Sequence, residues 1–286
     1  MRSAPPVAMG EDMDTAPALR LGAEDAVVLD TFVVPRYLAL FAEQLVEMIA
    51  AGRDARVCHL QCRSGYPDRL LLEKLPNAHV YGCDGSEHAI ELACAKARTI
   101  PGFVFDYRVS EDSTTPFPAA AFSHGITLHA FAAPARRRRM LEELARLLAP
   151  RGQALVAMPL RGSFAEITDL LREHALKSEL TALTSALEAA EPLRPTGELL
   201  ARELEAVGFE YVEVDVRTRA MRFESGRRFS EDPVTRLMLV PELRESLGLL
   251  DERALDYVRA AIDKYWSDVD FELTVNVGVV SGRRKN

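Results

Sequence analysis

Between Ala55 and Met158, short apolar runs alternate with helical patterns, and that alternation restricts what the chain can fold into. The runs Ala55–Leu60, His79–Cys83, Phe103–Val109, Phe122–Leu128 and Gln153–Met158 read as strands. The segments 68–75, 87–98 and 135–148 between them carry helical spacing, with Ser86 placed to cap the second. Strands joined by helices of this length form parallel βαβ units, whose right-handed crossovers cover both faces of one sheet. Buried parallel strands are short and apolar, as these are.

The flanking sequence has a different texture. Residues 1–24 are rich in Ala, Pro, Asp and Gly and read as a flexible tail, so one domain is expected over 25–286. The stretch 33–51 has helical spacing and ends before Gly52. In the second half, helices are expected at 164–190, 196–207, 235–247 and 252–265, and alternating strands at 209–216 and 271–279. Helical additions therefore occupy about 162–207 and 220–268. Connections this long serve as lids, substrate walls or contact surfaces.

Bulk properties exclude several classes. The net charge of −8 argues against a general nucleic-acid binder, and no apolar run is long enough to span a membrane. With no secretory leader, Cys58, Cys62, Cys83 and Cys94 read as reduced thiols of a cytoplasmic protein. Cys58, Cys62, Cys83 and His59 match no zinc spacing, so core packing is expected and no metal site. No Gly-x-Gly-x-x-Gly or Walker loop is present. Arg136 to Arg139 put four positive charges at a helix start, against the dipole; a solvated face is the default, with phosphate, an acidic partner or this chain's own acidic surface as other ligands.

In a doubly wound sheet, ligands bind beyond the carboxyl ends of the strands, over a tight loop after the first strand. Asp84 follows Gly65 at about the twenty-residue interval that places an acid against ribose hydroxyls. The runs Val57 to Pro67 and Val80 to Ser86, then Thr115 to Pro118, Ala121-Phe122 and Leu144 to Gly152, together resemble a class I S-adenosylmethionine-dependent methyltransferase acting on quinones and other small molecules. The resemblance covers about 30–283. It implies a Rossmann-like seven-stranded α/β fold, mostly parallel, with helices on both faces and a last strand inserted antiparallel. It also implies S-adenosylmethionine as cofactor, held by the positions of His59, Cys62, Arg63, Gly65 and Asp84, with Glu111 or Asp112 toward the adenine. His129, after the fourth strand, is the candidate general base. In that family the helix corresponding to the one that carries Tyr37 folds over the cofactor mouth, where Tyr37 would either pack or contact ligand.

The departures from that family set the functional expectation. His59 stands where the family carries an acid that positions the cofactor's amino end. Gln61 and Arg63 replace the first two loop glycines, and Ser123 replaces an Asp. Losing one charge-assisted hydrogen bond costs roughly 1.5–3 kcal/mol, and a side-chain clash adds to it. The expectation is a non-catalytic descendant, without cofactor, serving as a partner or regulatory protein through its helical additions. The alternatives are an active methyltransferase for a small or lipid-like acceptor, and a binding module for an anionic ligand held by Arg63. The sequence sets no oligomeric state.

Overall fold

The computed structural model describes residues 21–110, 114–129 and 133–286. Its strands are β1 (Arg56–Leu60), β2 (His79–Asp84), β3 (Val104–Val109), β4 (Phe122–Leu128), β5 (Leu148–Pro159), β6 (Phe209–Phe223) and β7 (Phe271–Arg284). They form one seven-stranded sheet in the order β3-β2-β1-β4-β5-β7-β6. The first five are mutually parallel, and β7 runs antiparallel between β5 and β6. The strand order reverses between β1 and β4, which puts the switch point beside the β1 loop.

Two apolar layers cover the sheet. Helices α5 (Pro134–Leu147) and α8 (Gly197–Ala206) pack on the face of Cys58, Leu60 and Val156. The other face, with Val57, Val80 and Val275, is covered by α1 (Ala23–Val28), α2 (Ala39–Glu47), α3 (Asp68–Lys74) and α4 (Glu87–Ala97). The same layer takes in α6 (Ala165–Lys177), α7 (Thr181–Ala190), α9 (Gly226–Glu231), α10 (Val240–Leu247) and α11 (Glu252–Tyr265). No helix among the described residues is long and apolar enough to cross a membrane.

Several boundaries differ from the sequence expectation, among them the start of β5 at Leu148 and the end of β7 at Arg284, each five residues beyond the expected bound. The described chain begins inside the segment read as tail, where Leu21 is buried and α1 starts at Ala23. Residues 1–20 lie outside the described part. Between α1 and α2, residues Leu29–Leu38 form a π-helical run around Pro35. Proline has no N–H for the α-helical ladder, and the wider turn passes the defect to the next donors, so Ala39 N bonds to Val34 O. Strand β6 continues to Phe223, past the expected end at Val216, because its arginine-rich half pairs in regular register with β7. The arginines masked an alternation that the ladder reveals.

The arginine run is not a solvated face. Arg136 pairs with Glu245 at 2.7 Å, and Arg137 grips Glu203 with two bonds of 2.6 and 2.7 Å. Only Arg138, paired with Glu142, has the exposure expected of a surface charge. The acidic ligands come from the chain itself, on α10 and α8.

Candidate functional site at the switch point

The loop after β1 turns through three left-handed residues: Gln61 (φ 56°), Arg63 (φ 46°) and Gly65 (φ 76°). These are the three positions at which the resembled family has glycine. The backbone keeps the glycine conformation although two of the residues carry side chains. It is held by Cys62 N donating to Cys83 O of β2 (3.0 Å) and, within the loop, by Gly65 N donating to Cys62 O (2.8 Å). Gly65 alone has no choice of residue: a Cβ there would lie 3.0 Å from Asp68 Oδ2 and 3.2 Å from Ala93 Cβ.

A left-handed conformation costs an L-residue about 1–2 kcal/mol. At Gln61 nothing offsets it, since the buried side-chain oxygen has no partner among the described residues. Gln61→Gly is therefore expected to raise stability by about 1 kcal/mol, after allowance for glycine's greater unfolded freedom. Urea unfolding of the two proteins checks this, and a loss of stability would refute the assignment of strain.

Arg63 is different. Its Nη1 donates to the Leu128 carbonyl at 2.9 Å, so the side chain runs from the β1 loop to the end of β4. Its own N–H donates to Asp84 Oδ2 at 3.0 Å, while Ser86 N donates to Asp84 Oδ1 at 2.9 Å. Both oxygens of the ribose-side acid thus already accept backbone amides. Ser86 Oγ caps α4 and also donates to Leu21 O, which draws the N-terminal segment over the loop. Asp30, in the π-helical run, accepts from Ser64 and pairs with Lys96 there.

His59 is fully enclosed in the central strand, between Gly82 of β2 and Ile126 of β4. Neither ring nitrogen has a partner among the described residues. Burial, followed by the Arg63 charge, lowers its pKa to about 3. The ring is neutral, and supplies no counter-charge for a cofactor's ammonium group.

His129 ends β4 in a left-handed conformation (φ 54°) and is buried. Its Nε2 lies 2.8 Å from the Tyr37 hydroxyl, and its ring meets Phe41 edge-on. Burial, then Arg63 and Arg194, hold its pKa well below the usual histidine value. The 4.0 Å approach of Glu242 Oε2 is consequently not an ion pair, because the imidazole is uncharged. Arg194 binds the other Glu242 oxygen at 2.9 Å and stacks on Phe164. Burial, then Glu242, keeps the Tyr37 phenol protonated. Tyr37, His129, Glu242 and Arg194 together tie the N-terminal helix and both helical additions to the end of β4.

The structure thus brings His59, Cys62, Arg63, Gly65, Asp84 and His129 to one end of the sheet. Glu111 and Asp112 fall outside the described residues. Cys62 packs on one face of the sheet, Cys58 and Cys83 on the other, so the three thiols do not converge. Sequence reasoning missed Glu242, Arg194 and the buried Asp68–Tyr107 pair. The first two lie in the additions, where neither periodicity nor motif points at the site. The pairing of Asp68 depends on a strand contributed about forty residues later.

Residues 58–156 match the family model for the methyltransferase domain. The chain has the Rossmann-like methyltransferase fold. Solved structures show the same fold over nearly its whole length. The YcgJ protein of Bacillus subtilis is 11% identical, with 87% of this chain and 99% of that one covered and a TM-score of 0.57. Phosphoethanolamine N-methyltransferase 2 of Haemonchus contortus, with phosphomonomethylethanolamine and S-adenosylhomocysteine, is 14% identical over 93% of this chain and 59% of that one, TM-score 0.57. A complex of a methyltransferase activator with a putative methyltransferase from Haloferax volcanii matches at 15% identity, 98% and 100% coverage and TM-score 0.53. No curated protein matches the sequence. Three features mark the position that holds the cofactor in the resembled family. A guanidinium bridges β1 to β4, the expected acid is a neutral histidine, and Asp84 already accepts two backbone amides.

Proposed function

We propose that this protein is a methyltransferase-fold partner or regulatory subunit that does not itself transfer methyl groups. The observation that carries the reading is the Arg63 side chain bonded across the switch point to the Leu128 carbonyl. A cofactor's positively charged sulfonium and ammonium groups would lie against that guanidinium, with no acid at His59 to offset it. The helical additions supply surface for a partner, with Leu176 and Leu249 exposed. The Haloferax volcanii neighbour, a methyltransferase held by an activator, is a precedent for such assembly on this fold.

Titration calorimetry with S-adenosylmethionine and S-adenosylhomocysteine tests the reading. Neither ligand is expected to bind more tightly than about 1 mM, whereas binding near 1 μM would overturn it. One observation favours a second reading, an active methyltransferase for a small or lipid-like acceptor: the buried Tyr37–His129 pair at the end of β4. That reading requires S-adenosylhomocysteine to copurify and Asp84→Ala to abolish its retention.

A further inference from the structure

Strand β6 closes the sheet on one side, and its only strand partner is β7. Among the described residues, no backbone group of another element bonds to it beyond the β7 ladder. It is long for an edge strand, and it exposes Tyr211, Val214 and Val216, the last by 50%. A long exposed edge is a template for another strand unless its side chains forbid pairing.

The charges on β6 do not forbid it; they are arranged as a palindrome. From Glu213 onward the ladder with β7 is regular, so side chains alternate strictly between the two faces. Glu213, Asp215, Arg217 and Arg219 share the face that carries α2, where Arg217 meets Glu47 and Gln44 reaches the Asp215 carbonyl. Val214, Val216 and Thr218 share the face of α8, where Gly197 closely approaches both valines. Reflected about Val216, Glu213 falls opposite Arg219, Asp215 opposite Arg217, and Val214 opposite Thr218.

The geometry points to a homodimer formed by antiparallel pairing of β6 with β6 of a second copy, with the two-fold axis at Val216. In that register every charge from 213 to 219 meets its opposite on one face. The valines of the two copies adjoin on the other. Antiparallel cross-strand pairs of opposite charge stabilise a sheet, and like charges directly opposed destabilise it. Parallel in-register pairing would set Glu213 against Glu213 and Arg219 against Arg219, so the pattern selects orientation as well as register. A two-fold axis requires a surface that is its own complement, which this strand provides. The result is one continuous sheet across two chains, leaving both switch-point sites distant from the junction along the strand order.

Sedimentation of the full chain should give a dimer. Glu213→Arg and Arg219→Glu each place two like-charged pairs at the junction, and each is expected to weaken dimerisation at least about tenfold. Combining them restores opposite charges in reversed order and should restore the dimer, a rescue that a purely structural role would not produce. Both side chains are exposed, so folding is spared. Val216→Cys provides an independent readout. At the axis the two Cα atoms of an antiparallel pair stand about 4.5–5.5 Å apart, within disulfide range, so oxidation should link the chains covalently. A wild-type monomer at about 100 μM would overturn the proposal. A dimer indifferent to charge reversal and not cross-linked through Val216→Cys would overturn it equally.

Discussion

Replacing Arg137 with alanine is expected to destabilise the protein by about 2–4 kcal/mol, from the cavity left by a buried side chain and the loss of its charge-assisted bonds to Glu203, itself a quarter exposed. Arg137 is completely buried. Its guanidinium makes two bonds to Glu203 of α8 and a third to the Leu193 carbonyl at 3.1 Å, so one side chain joins α5, α8 and the turn before α8. Removing it leaves a carboxylate and a carbonyl without that partner, and a cavity the length of an arginine. The paired change Arg137→Met with Glu203→Leu refills the cavity and leaves no charge without its partner, so it should recover most of the loss. Urea midpoints for the three proteins measure both. An alanine variant within about 1 kcal/mol of wild type would mean that the bridge contributes no more than an ordinary surface pair.

Acid should weaken the fold through His59. The folded pKa, about 3, lies below the ordinary value of 6.5, so between those limits the unfolded chain binds the proton and the folded chain does not. The neutral histidine therefore contributes fully above about pH 6.5, and its contribution falls by about 1.4 kcal/mol for each pH unit below that. His129, also held below its usual value, adds to the slope. Asp68 opposes it. Burial raises its carboxyl pKa to about 7, so its part of the stability is greatest in acid and is lost as pH rises toward 7. The wild-type profile is the sum of these opposed contributions, so the test is a difference. Stability of His59→Leu relative to wild type should grow steadily as urea unfolding is repeated at pH 7, 6 and 5. A constant difference would show that His59 is not buried in neutral form.

The βαβ half of the molecule was legible because its signals are local. Each strand from β1 to β5 is an apolar run bounded by a turn, and Ser86 caps α4 as its position suggested. The site residues were legible as a set because strand ends and their loops fix what faces the switch point, whatever the residues are. Their meaning was not. In sequence Arg63 reads as filling a vacated cofactor pocket, or as holding an anion; its bond to a backbone carbonyl sixty-odd positions away is something no local pattern can disclose. The same limit applies to Arg136 and Arg137, whose partners Glu245 and Glu203 lie on helices placed by the fold. Pro35 was visible in the sequence, but whether its helix would break, kink or widen into π turns depended on what packs against it.

The three left-handed residues of the β1 loop have a consequence for redesign. Bonds from Cys62 and Gly65, and the strands on either side, impose the turn, and the residues now at 61 and 63 merely endure it. The loop is a mould whose shape does not depend on what is cast in it. On the reading proposed above, building a cofactor site here would begin with the side chains at 59, 61, 63 and 123 and leave the backbone as it is.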